Sequence, residues 1–117
     1  MEKAIIVINE DHNLLPVQEA QLKGRFGKWA TFAVPKGGLP SDKQRALAEG
    51  LWELHEDIIF VSPVPMALAT AALLKGKERS GRHRVWLFVN DKREKKALPD
   101  GRVISILAFD GWRLEEI

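Results

Sequence analysis

Residues 3–9 read Lys3-Ala4-Ile5-Ile6-Val7-Ile8-Asn9, an apolar, largely β-branched run that closes on a polar residue. Such a run fits a strand buried on both faces, as in parallel sheets covered by helices on either side. The loop Glu10-Asp11-His12-Asn13 follows, and a helix is expected from about Leu14 to Phe26. Pro16 suits its first turn, where a missing N–H costs little, and Leu15, Leu22 and Phe26 share a face. Gly24 and Gly27 bracket its end.

The same alternation continues downstream. Trp29–Pro35 reads as a second strand, and Pro35-Lys36-Gly37-Gly38-Leu39-Pro40 as a loop. Ser41-Asp42-Lys43-Gln44 predicts a capping-box start to a helix whose Leu47, Leu51 and Leu54 form one stripe beside Ala48 and Trp52. Asp57–Ser62 is a third buried strand, and after Pro63-Val64-Pro65 the segment Met66–Leu74 is a helix apolar nearly all round. Either the core or a second subunit must cover such a helix. Val85–Asn90 is a fourth strand. The pattern then changes to a turn at Pro99-Asp100-Gly101, a strand over Val103–Phe109, a two-residue turn at Asp110-Gly111 and a strand over Trp112–Ile117. The expected fold is α/β, a Rossmann-like three-layer sandwich with a mostly parallel sheet and a C-terminal antiparallel hairpin. The 117 residues make one domain, residues 1–117.

Composition narrows the chemistry. Apolar residues are 45% and charged residues 29%, the balance of a globular chain rather than a disordered one. The chain has no cysteine, so disulfide scaffolds, thiolate chemistry and cysteine-ligated zinc are excluded. The opening apolar run is too short for a signal peptide and no run reaches membrane-spanning length, so a cytoplasmic protein without membrane contact is expected. The net charge is only +2, yet Lys75 to Lys96 holds nine Lys or Arg against three acids. Concentrated positive charge favours anionic partners, phosphates above all, although a solvated face has the same composition.

In open α/β sheets the ligand lies beyond the carboxyl ends of the strands. Four loops fall there: Asn9–Asn13, Lys36–Gly38, Ser62–Pro65 and Asn90–Arg93. Gly37 and Gly38 permit close backbone approach and Lys36 adds charge. Ser62 and Pro63 precede a helix N-terminus, whose free N–H groups attract anions. Lys92 and Arg93 follow the fourth strand directly. His12 is the one histidine in such a loop, while His55 ends a helix and fits a structural role. The sequence contains neither G-x-G-x-x-G nor G-x-x-x-x-G-K-[ST], which removes the standard dinucleotide fingerprint and the P-loop. No metal or cofactor is expected, since His12, His55 and His83 lack ligand spacing. A hydrolase built on Ser62, His12 and Asp11 is compatible with the residues, but G-x-S-x-G is missing.

Two stretches carry a resemblance. Asn9 to Gln18 has the form N-x-x-H-x-L-x-P-x-Q at the end of a strand. Phe60-Val61-Ser62-Pro63, the Ala/Leu-rich helix through Leu74 and then Gly81 form the second. Together they resemble the small stand-alone Csx proteins of type III CRISPR systems, CARF-like Rossmann domains regarded as binders or ring nucleases of cyclic oligoadenylate messengers. The likeness covers about a third of the chain, with Asp11 where a small hydroxyl residue is common and Ser62 where asparagine is. It implies a homodimer presenting two loop edges to one two-fold ligand, with the Met66–Leu74 helix at the contact. It also implies metal-independent cleavage by 2′-hydroxyl attack in the members that cleave. His12 would then be general acid or base, Asn9, Lys36, Gly37, Gly38, Ser62, Pro63, Lys92 and Arg93 the ligand-binding set, and a cyclic oligoadenylate or other nucleotide the partner. Binding and cleavage are both compatible with these residues. Two other readings stand beside it: a nucleic-acid-binding module using residues 75–96, although Trp86 lies in a buried-type strand, and a non-catalytic dimeric interaction protein.

Overall fold

The computed structural model describes residues 3–61, 66–78 and 82–117. The elements run β1 (Ala4–Asn9), α1 (Pro16–Phe26), β2 (Ala30–Val34), α2 (Ser41–Leu54), β3 (Asp57–Phe60), α3 (Met66–Glu78), β4 (Arg84–Asn90), β5 (Arg93–Ala97), β6 (Val103–Leu107), a 3-10 turn (Phe109–Gly111) and β7 (Trp112–Glu116). Five strands form one sheet in the order β2-β1-β3-β4-β7. The first four are mutually parallel, with Val7 level with Phe32 and Phe60, and Phe60 level with Leu87. β7 closes the far edge antiparallel to β4. This is the mostly parallel α/β sandwich that the apolar runs predict.

The order explains the layers. The chain steps from β1 out to β2, then returns past β1 to β3 and β4. Crossovers between parallel strands are right-handed, so a reversal of direction moves the connecting helix to the opposite face. Alternation along β1 shows the outcome. Ile5 and Val7 pack with Leu51 and Trp52 of α2 and Leu68 and Ala72 of α3, whereas Ala4, Ile6 and Ile8 pack with Leu22 of α1. β1 and β3 are buried along nearly all their length, as their β-branched runs require. Trp52 ties the two-helix layer together: its indole N–H donates to the Ala72 carbonyl at 2.8 Å, and Gly76 lies flat on its ring. A Cβ at Gly76 would meet that ring at 3.2 Å, so a side chain there would press on the buried indole. Leu54, assigned to the apolar stripe, instead faces outward at 55% exposure, because Ala48, Leu51 and Trp52 already fill the contact.

Two local expectations are overturned. The N-cap of α2 is Pro40, with no side-chain capping bond from Ser41. Gln44 serves elsewhere: its amide donates to the Leu39 carbonyl at 2.5 Å, and its Oε1 accepts from the Leu68 N–H at 2.9 Å. It thereby satisfies a donor in the first turn of α3 that has no partner within its own helix. The predicted pairing of Val103–Phe109 with Trp112–Ile117 across Asp110-Gly111 does not form. β6 pairs instead with β5, a strand the apolar pattern does not reveal, while β7 joins β4. The hairpin turn glycine is Gly101, at φ 89° within the loop closed by the Leu98 N–H to Arg102 carbonyl bond. Gly111 has no positive φ and is small for another reason. A Cβ there would lie 2.6 Å from Lys92 Cβ and would collide with Asn90 Oδ1.

The β5–β6 hairpin stands out from this body as a separate two-stranded sheet. The radius of gyration is 15.8 Å, with extents of 52 × 33 × 21 Å. A compact 117-residue domain would have a radius of about 13 Å. Among the described residues no helix is long and apolar enough to cross a membrane.

Candidate functional site

Strand order 2-1-3-4 puts the reversal between β1 and β3, so the crevice that such sheets offer to ligands opens beyond Asn9 and Val61. The N-termini of α1 and α2 open at the same edge, each following its parallel strand. Ser62 and Pro63 lie outside the described residues.

The loop after β1 is shaped by its own polar groups. Asn9 Oδ1 accepts from the Asp11 N–H at 2.9 Å, and the Asn9 carbonyl accepts from the His12 N–H at 2.9 Å. Asn9 therefore folds the loop through an Asx-type turn. Glu10 then stitches this loop to the next one. Its N–H donates to the Val34 carbonyl at 2.8 Å, and its Oε1 accepts from the Lys36 N–H at 2.8 Å. The carboxylate is thus turned onto backbone and holds the Lys36 loop against the β1 loop. That second loop is a turn closed by the Gly38 N–H to Pro35 carbonyl bond at 3.0 Å. Gly38 follows at φ 95°, a conformation that residues with a side chain rarely adopt. The Lys36 side chain is exposed and enters no ion pair among the described residues.

His12 lies beside these loops on the α1 face of the sheet. It borders an open cavity of about 330 Å³ with Asn13, Leu14, Glu19, Trp29, Thr31, Ile6 and Ile8. Trp29 and Thr31 belong to the side of β2 opposite Phe32 and Val34, which are committed to the α2–α3 core. The cavity is at the small end for a ligand site and carries one half-buried indole wall, a histidine, a carboxylate and a hydroxyl. Sequence reading missed Trp29, Thr31 and the tethering role of Glu10. The available signal was period-2 alternation: with Ala30, Phe32 and Val34 turned inward, Trp29 and Thr31 fall on the other face.

Lys92 and Arg93 stand at the same sheet edge but beyond β4, two strand spacings from β1, or roughly 10 Å. Their charges are engaged within the chain. Lys92 Nζ meets Asp110 at 2.7 Å, and Arg93 Nη1 donates to the Asn90 and Lys92 carbonyls at 3.1 and 3.3 Å. Asn90 completes the knot, donating to the Ala108 carbonyl at 2.7 Å and accepting from the Lys92 N–H at 3.0 Å. Arg113 pairs with Asp91 at 2.6 Å next to it. The hydrogen bond from Lys92 holds the Asp110 carboxyl below its ordinary range, and Arg113 does the same for Asp91. Lys92 and Arg113 are raised in return by those carboxylates. All four groups are exposed, so each pair stabilises weakly. The knot anchors the base of the hairpin. Elsewhere in the basic segment, Lys75 pairs with Glu49 and Arg84 with the buried Asp57. The structure therefore brings Asn9, His12, Lys36, Gly37 and Gly38 into one neighbourhood and leaves Lys92 and Arg93 in another.

No protein-family model matches the sequence, and no curated protein is significantly similar to it.

Proposed function

We propose that the chain binds a cyclic oligoadenylate at the β1–β2 end of the sheet, as a CARF-like component of type III CRISPR defence. The observation that carries this reading is the Glu10–Lys36 stitch, which joins the two loops into one rim beside the Trp29–His12 cavity. Adenine stacks on an indole face, and base–aromatic stacking is worth about 1–3 kcal/mol per base. Lys36 and the glycine backbone beside it suit the adjacent phosphate, which an unshielded carboxylate would repel. One oxygen of the Glu10 carboxylate is turned onto the Lys36 backbone N–H.

Where cleavage follows binding, the 2′-oxygen of one nucleotide attacks the adjacent phosphorus and the P–O5′ bond breaks. The products are a 2′,3′-cyclic phosphate and a 5′-hydroxyl, with no water and no metal consumed. The 2′-hydroxyl proton passes to His12 as base and a proton returns to the leaving 5′-oxygen, while Lys36 faces the charge on the phosphoryl oxygens. The reading includes the homodimer that a two-fold ligand requires. Leu68 and Ala72 of α3 are spent on the chain's own core, and Leu74, 58% exposed, is the exposed large side chain among the described side chains of the Met66–Leu74 segment.

Calorimetric titration with cyclic tetra-adenylate and cyclic hexa-adenylate tests the proposal. One of them binds, Trp29→Ala weakens that affinity about 10-fold or more, and His12→Ala lowers turnover more than affinity. Absence of heat with both ligands, or equal affinity in Trp29→Ala, removes the reading.

A further inference from the structure

Two of the edge strands of this molecule, β7 and β6, are treated differently. β7, at the end of the main sheet, is sealed by its own chain: Gln21 Nε2 donates to the Trp112 carbonyl at 2.7 Å, and Gln21 Oε1 accepts from the Leu114 N–H at 2.9 Å. One glutamine of α1 thereby occupies two of the outward backbone groups that would template another strand. β6 receives no such cover. It pairs with β5 alone, and its far edge faces solvent among the described residues.

The sequence of β6 is equally unguarded. Val103-Ile104-Ser105-Ile106-Leu107 contains no charge and no proline, the devices with which edge strands are normally protected. Its aliphatic groups lie on both faces and remain exposed, Val103 at 61%, Ile104 at 40% and Leu107 at 44%. All the charge of the ribbon is carried by β5, as Arg93, Glu94, Lys95 and Lys96. A two-stranded ribbon with this exposure is marginal by itself.

We infer that β6 is a self-association strand, which pairs antiparallel with β6 of a second copy about a two-fold axis at Ser105. The pattern is self-complementary in that register. Val103 faces Leu107 of the partner subunit, and Ile104 faces Ile106 of the partner subunit. Aliphatic meets aliphatic on both faces, giving one four-stranded sheet in which both basic strands lie outermost. The two β5 strands are then three strand spacings apart, about 14 Å, beyond the screening length of about 8 Å at physiological salt. Charge favours the β6 edge: approach through β5 would bring together two strands that each carry three bases against one acid, with Lys95 against its own copy in the register centred on it, whereas the β6 strand itself carries no charge. The inference rests on the homodimer in the proposed function but not on its ligand, and it moves the contact from α3 to the hairpin.

The chain has no cysteine, which makes the register testable with single thiols. Antiparallel partners directly opposite have Cα atoms about 4.5–5.5 Å apart, within the span of a disulfide. Ser105→Cys cross-links to a covalent dimer under copper-phenanthroline, without ligand. Val103→Cys, displaced from its own copy by four residues, and Leu74→Cys do not. In light scattering the natural chain has twice the chain mass, and Ile104→Lys, on an exposed site that leaves circular dichroism unchanged, returns it to the monomer. A monomeric natural chain overturns the inference, as when β6 serves the strand of a different protein. Cross-linking through Leu74→Cys in place of Ser105→Cys overturns it as well. Either result leaves the calorimetric test of ligand binding intact.

Discussion

The parallel sheet and the β5–β6 hairpin solve the strand problem in opposite ways. In β1 and β3 both faces are covered, by α1 on one side and by α2 and α3 on the other, and the sequence is apolar apart from Asn9 at the end of β1 and Asp57 at the start of β3. The hairpin has no helix on either face, and its two strands divide the labour: charge on β5, aliphatic surface on β6. The sheet is held by burial, which acts along its whole length. The hairpin is held at its base, by Asn90, Gly111 and two exposed ion pairs, and at its turn by Gly101. Stability is therefore concentrated in one region and exposed interaction surface in the other.

Substitutions widen or close that gap. The largest effect belongs to Trp52→Ala, which removes a fully buried indole together with its hydrogen bond to the Ala72 carbonyl. It costs about 3–5 kcal/mol in urea unfolding. Ile104→Ala, measured at high dilution, changes stability by less than about 0.5 kcal/mol. Comparable losses at the two sites would show that the hairpin is part of the core after all. Next comes Gly111→Ala. Its Cβ has nowhere to go beside Asn90 and Lys92, so it costs about 1–3 kcal/mol, released as faster amide exchange confined to β5, β6 and the 3-10 turn. Uniform acceleration through the sheet would contradict a local anchor.

The smallest effect is that of pH. Asp91 and Asp110 titrate lower in the folded chain than unfolded, so the stability they lend is fully present above the ordinary aspartate range near pH 4. It disappears as the pH falls through their lowered folded values. Lys92 is raised, so its share is present below about pH 10 and is lost as pH rises through the raised value. Amide protection at the hairpin base, taken relative to the intrinsic exchange rate at each pH and followed against that of β1 as the pH is lowered to 3, is lost at the base first. Addition of 1 M salt has the same selective effect, since exposed pairs are screened.

The contrast also marks what could be read from the sequence. β1, β3 and β4 announce themselves because burial on both faces demands apolar runs, and the helices between them follow from spacing and from Pro16. β5 does not, because Arg93-Glu94-Lys95-Lys96-Ala97 buries nothing and carries no periodic signal. Asp110-Gly111 looks like a hairpin turn by composition, yet Gly111 is there for a close approach to Asn90 and Lys92 that no local pattern encodes. The same division runs through the candidate site. The strand-end position of Asn9, His12, Lys36, Gly37 and Gly38 follows from the order of elements. Capture of the Lys36 backbone by Glu10, and the meeting of Trp29 and His12 at one cavity, depend on separate segments coming together in space.

Ligand binding at the β1–β2 rim is tested most directly by amide and indole chemical shifts in a titration with cyclic tetra- and hexa-adenylate. The account predicts saturable shifts at residues 9–13, 36–38 and the Trp29 indole, with β5 and the opposite end of the sheet around Asp57 and Arg84 unmoved. No shift with either ligand, or shifts centred on β5, would contradict it.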